Sequence, residues 1–173
     1  MPSPVGHFLF GLATHVAAAP PSDVAWRART VVTVACALAP DLDFVAHLWG
    51  VRWHQRHTHS LGAAVMAAAA VALVAALRGS PRWRGLGLAA FLGWTSHVAL
   101  DFLNVDTNPP IGVMALWPLS DGFFKFPWPI FMDVGRTLDW NMVRHNTLAV
   151  GWEVVALGAL LVLVWRRREQ TRR

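Results

Sequence analysis

From Leu61 to Leu77 the chain runs seventeen residues through Gly, Ala, Val, Leu and Met without a charged side chain. As a helix this segment is about 26 Å long at ~1.5 Å per residue. It has no polar face to turn towards water, so it belongs in a core or a bilayer. Composition favours the bilayer. Hydrophobic residues make up 55% and charged residues 14%, against roughly a quarter charged in soluble domains. The chain also has ten Trp and no Tyr, and Trp concentrates at membrane–water interfaces. A length of 173 residues suits a single domain, residues 1–173.

Proline and capping signals divide the chain into five helical segments. The first runs from about Val5 to Ala19 and is stopped by Pro20-Pro21. The second starts near Ser22 or Asp23 and ends before Pro40, with a short amphipathic piece following from Asp41 to Trp49. Leu61 to Leu77 is the third. Ser80-Pro81 reads as N-cap and first helical position of a fourth, which reaches about Asn104. The fifth spans roughly Leu148 to Trp165. Between Val105 and Thr147, Pro109-Pro110, Pro118, Pro127 and Pro129 preclude long helices, and a connection of that length suggests a lid or substrate-facing cap. The expected fold is all-α: a membrane-embedded helical bundle of about five helices with a long Pro/Trp-rich cap between the last two.

The net charge is +5, and five of the fifteen basic residues lie in the tail from Arg166 to Arg173. That tail directly follows an apolar run, which favours contact with anionic lipid heads over nucleic acid. Arg27 and Arg29 stand at the junction of the first two segments, and Arg78, Arg82 and Arg84 at that of the third and fourth. With the N-terminus outside, all three basic groups fall on one side, as the positive-inside rule requires. The expected location is therefore the cell membrane, multi-pass, with the Arg tail cytoplasmic. The single Cys36 excludes an internal disulfide. Met1-Pro2-Ser3-Pro4 lacks the basic residues that open a secretory signal.

Ionisable groups interrupt this apolar background at few places. His97-Val98-Ala99-Leu100-Asp101 sets an imidazole and a carboxylate four residues apart, on one helix face. Such groups are costly among apolar residues, which makes them candidates for function. Asp41-Leu42-Asp43 and the segment His54 to Ser60 border other apolar runs. The topology brings His7, Asp41, Asp43, His54, His59, His97 and Asp101 to one extracytoplasmic face, at headgroup depth. These residues are the candidate metal ligands, with His54 also a candidate general acid/base and Asp43 a catalytic carboxylate. Imidazole with carboxylate suits zinc, with manganese or iron as alternatives, as one or two ions. His15 lies eight residues from His7, about 12 Å along a helix, too far to share an ion. His47 and His57 read as interfacial or surface residues and Asp121 as structural. Glu153, His145 and Asn146 are secondary candidates.

In order along the chain, Gly6-His7, Pro40-Asp41-Leu42-Asp43, His54 to Ser60, His97 to Asp101 and Leu116-Trp117-Pro118 resemble the motifs of the YdjM family. Its members are predicted membrane-bound, metal-dependent hydrolases. The likeness covers about Val5 to Asp121. It implies a bundle of membrane helices with metal ligands drawn from those motifs. The chain departs from the family pattern at His54-Gln55, where the family has His-Arg; Arg56 comes one place later. A looser similarity, in ligand types and in HxxxD, is to zinc-dependent phospholipases C.

The reading is a metal-dependent hydrolase that activates water to cleave a phosphoester of a lipid or lipid-linked substrate. The bilayer is its expected partner, with no nucleic acid. No Ser/His/Asp constellation offers a side-chain nucleophile. The alternative is a non-enzymatic metal-binding or transporting membrane protein. Transport calls for polar groups along several helices near mid-membrane, and the third segment has none.

Overall fold

The computed structural model describes residues 1–19, 24–43, 55–107, 109–135, 137 and 139–171. Among the described residues, five α-helices form the bundle: α1 (Pro4–Ala18), α2 (Trp26–Leu38), α3 (Leu61–Leu77), α4 (Trp83–Phe102) and α5 (Trp140–Thr171). Two 3-10 turns, residues 39–43 and His57–His59, lead out of α2 and into α3. Among the described residues there is no β-strand, only two isolated bridges, Asn104 with Phe131 and Val113 with Phe124.

Local chemistry sets the helix ends. Ser3 caps α1 by accepting from Gly6 N at 3.1 Å, with Pro4 in the first turn, where its missing N–H costs nothing. Ser60 caps α3 through Ala63 N at 3.0 Å. At the other end of α3, Gly79 takes φ +71°. Its N–H bonds Ala76 O and that of Ser80 bonds Ala75 O, both at 2.9 Å, a left-handed closure that favours glycine. α4 starts at Trp83, two residues later than Pro81 suggests. The Ser80 hydroxyl accepts from Arg82 N instead of capping the helix, which makes residues 80–82 a turn.

α5 departs most from the sequence expectation. Its 32 residues start at Trp140, in what reads by sequence as cap. Asp139 accepts from Met142 N at 2.9 Å, an N-cap bond. That amide, with the Thr137 hydroxyl, holds the exposed carboxyl below its usual pKa. At the far end the helix continues through the Arg tail, braced by Trp165 Nε1 on Glu169 at 2.8 Å. The expected piece from Asp41 to Trp49 is a 3-10 turn as far as residue 43; residues 44–50 lie outside those described.

α4 packs against α1, α2 and α3, and α1 packs against α2, α4 and α5. Small residues let the central helices come close. A Cβ on Gly93 would lie 2.1 Å from Thr33 O of α2, and one on Gly11 would lie 2.6 Å from the Cβ of Ala37. α3 and α5 flank the bundle. α5 buries only the stripe Ala149, Glu153 and Leu157, leaving Leu148, Trp152, Val155, Val162 and Leu163 exposed. It is the one helix among the described residues long and apolar enough to cross a membrane; α3 is apolar but shorter.

The two ends of the bundle differ in chemistry. At one, Arg29 of α2 lies over Gly85 of α4, and Arg168 of α5 reaches Val16 O of α1 at 3.3 Å and stacks on Trp26. At the other gather the N-terminal ends of α1 and α3, the C-terminal end of α4 and the turn after α2. The cap covers this second end and is bonded along its length. Leu61 N and Gly62 N donate to Ala115 O and Trp117 O, Phe126 N to Phe102 O, Ile130 N to Leu103 O, and Val134 N to Met1 O, all at 2.8–3.0 Å. It is a fixed cover, not a flap held only at its ends.

Candidate metal centre

Four elements each bring a donor to the covered end. His7 sits one turn into α1. Asp41 follows Pro40 in the turn after α2, and His59 immediately precedes the Ser60 cap of α3. His97 and Asp101 share a face of α4. His7, His59 and His97 are at most 1% exposed and Asp101 is 5% exposed. His97 Nε2 is 3.1 Å from Asp101 Oδ2 and 3.6 Å from Asp41 Oδ1. His59 Nε2 is 3.4 Å and 3.5 Å from the same two oxygens. His7 Nε2 lies 3.6 Å from Asp101 Oδ1 and 3.9 Å from Asp41 Oδ2.

Outer hydrogen bonds decide which ring nitrogen faces this cluster. His97 Nδ1 is 2.8 Å from Ala37 O. A carbonyl only accepts, so Nδ1 carries the hydrogen and Nε2 of the neutral ring presents a lone pair. Thr58 donates its hydroxyl to Asp43 Oδ2 at 2.8 Å. Its oxygen, 3.0 Å from His59 Nδ1, is therefore the acceptor of that ring's hydrogen. His59 Nε2 then also presents a lone pair. A divalent ion between these nitrogens and the facing carboxylate oxygens would be bound by both.

The remaining atoms fit a cation. Among the described residues, Nε2 of His7 and of His97, Oδ1 of Asp41 and both oxygens of Asp101 are buried without a hydrogen-bond partner, a costly state for polar groups. Burial pushes the Asp41 carboxyl up, but the imidazoles of His59, His97 and His7 outweigh that and hold it below its usual range. It stays ionised, as a ligand must. Two donor sets have ligand atoms mutually within 4.8 Å: His7, His97 and Asp101, and Asp41, His59 and His97.

Asp43 is placed apart from the expected ligands. Its carboxylate lies 3.5 Å from Nδ1 of His59, on the far side of the ring, where with Thr58 it orients the imidazole. His54 and His47 lie outside the described residues. His15 is buried at the opposite end against Trp26, with ring centroids 4.2 Å apart. His57 is exposed, edge-on to Trp117, and Asp121 is exposed in the cap. His145 and Asn146 tie α5 to the cap at Asp133 O and Gly135. Glu153, fully buried, accepts from Ser3 N at 2.8 Å and from the Ser3 hydroxyl, which places it beneath the N-terminus of the helix that carries His7. The sequence reading missed Thr58 as an orienting residue, although it stands beside His59. The Ala37 carbonyl left no signal at all, since every residue has one.

An all-helical bundle with a buried His/Asp pocket able to hold metal is the class these features define. The family model of YdjM inner membrane proteins matches residues 1–171, and the chain belongs to that family. No curated protein and no solved structure matches it.

Proposed function

We propose that the protein is a multi-pass, membrane-bound, metal-dependent hydrolase that cleaves a phosphoester of a lipid or lipid-linked substrate. The observation carrying this reading is that Nε2 of His59 and of His97 both face oxygens of Asp41 and Asp101 at 3.1–3.6 Å, while Nδ1 of each ring is held from the outer side. A divalent ion, zinc in the first place with manganese or iron as alternatives, supplies a lowered pKa for bound water and polarises a phosphoryl oxygen. His7, Asp41, His59, His97 and Asp101 would hold it. Asp43 and Thr58 keep His59 in register, Ala37 does so for His97, and the cap excludes bulk water. His54 is the proposed general acid/base.

The apolar outer faces of α3 and α5 support contact with lipid. The gathering of Arg29 and Arg168 at the end remote from the pocket supports a cytoplasmic basic end and an extracytoplasmic site. The lack of any polar side chain on α3 counts against a transport path. The test is a hydrolase screen of metal-loaded protein on lipid phosphoesters and generic phosphodiesters, beside the His97→Ala/Asp101→Ala double variant. Turnover by the wild type alone is expected. Metal bound by the wild type without turnover of any phosphoester would leave a metal-binding protein and remove the enzyme.

A further inference from the structure

We infer that the pocket is built for two ions bridged by Asp41 and Asp101, with His59 and His97 serving one and His7 the other. This rests on the metal reading above and goes further by dividing the donors.

The division follows from ring geometry. The imidazoles of His7 and His97 are stacked, with centroids 3.8 Å apart and planes within 13° of parallel. The lone pair of a ring nitrogen lies in the plane of its ring. Although their ligand atoms lie within 4.8 Å of each other, two nearly parallel planes at that spacing aim the two in-plane lone pairs at separate points, so the rings are poorly placed to share one ion. His59, in contrast, stands at 64° to His97 with centroids 4.9 Å apart. Their planes cross, and their lone pairs can converge.

The oxygens sort the same way. His59 and His97 both face Asp41 Oδ1 and Asp101 Oδ2, with all four nitrogen–oxygen separations between 3.1 and 3.6 Å. A tetrahedral ion with bonds of about 2.0–2.1 Å holds its donors roughly 3.3 Å apart, and these four nitrogen–oxygen separations suit such an ion. His7 faces the other oxygen of each carboxylate, Asp41 Oδ2 and Asp101 Oδ1. That second set has three protein donors and leaves a position open, the pattern of catalytic rather than structural sites.

Metal stoichiometry decides the matter without any assay of activity. Full-length protein in detergent, loaded with Mn²⁺ and freed of excess, is expected to carry two ions per chain by elemental analysis and to give the electron paramagnetic resonance spectrum of a coupled pair. His7→Ala is expected to carry one ion and to lose the coupling. His7→Gln serves as a second variant that keeps the volume, and the wild-type measurement depends on neither. One ion per wild-type chain, or two ions retained in both His7 variants, overturns the division while leaving the metal reading intact. A wild-type chain that takes up none overturns both.

Discussion

His97 donates its Nδ1 hydrogen to the carbonyl of Ala37, sixty positions earlier in the chain, across 2.8 Å. The bond joins the last turn of α2 to α4 and settles which nitrogen His97 offers the pocket. It exists because Gly93, one turn before His97, has no side chain to hold the two helices apart.

That dependence can be tested at Gly93. A Cβ there would meet Thr33 O at 2.1 Å and Thr33 C at 2.9 Å, backbone atoms that cannot move aside alone. Gly93→Ala should push α2 off α4 and break the Ala37 contact one turn further on. A loss of metal affinity of about 10–100-fold, as for other outer-shell changes, is expected in a chelator competition. Unchanged affinity would show that His97 is held by something else.

Thr58 offers a cleaner probe, because two variants separate hydroxyl from shape. Thr58→Val keeps the volume and breaks the link between His59 Nδ1 and Asp43; metal affinity should fall about tenfold or more. Thr58→Ser keeps the link and should behave as wild type. Equal losses in both would assign Thr58 to packing.

Glu153 should matter for stability before chemistry. It is buried within α5 and bonds both the N–H and the hydroxyl of Ser3. Glu153→Ala strands those donors, which costs about 1–3 kcal/mol for a buried group, and the midpoint of thermal unfolding in detergent should drop. Glu153→Gln, which still accepts one of the two bonds, should recover part of the loss. If the two variants melt alike, the carboxylate is not what anchors α1.

The proposed sidedness can be tested across α3. Thr58 and Gly79 bracket this seventeen-residue apolar helix, about 26 Å long. Single cysteines at these positions, in a chain with Cys36 replaced, should react with an impermeant thiol reagent from opposite sides of the membrane. Labelling of both from one side would contradict a spanning α3.

Several parts of the fold were legible because their signals are local. The bounds of α3 follow from its charge-free run, and the end of α1 follows from the prolines after Ala19. The start of α5 was misread because the apolar stretch begins at Leu148, whereas the helix begins where Asp139 caps it. Apolar content marks what a helix buries, not how far it extends. The pocket was legible as a set of residue types: His7, Asp41, His59, His97 and Asp101 stood out as ionisable groups beside apolar runs. Asp43 was grouped with them because spacing along the chain does not say on which side of an imidazole a carboxylate will lie.

By itself, the amino-acid order determined that this chain makes apolar helices and which side chains offer metal donors, since hydropathy, capping and ligand chemistry belong to each residue and its near neighbours. Only the tertiary structure decided that Asp41 and Asp101 each turn one oxygen to His7 and the other to His59 and His97. The angle between two rings and the choice of nitrogen depend on how closely helices pack and on backbone carbonyls that carry no residue identity.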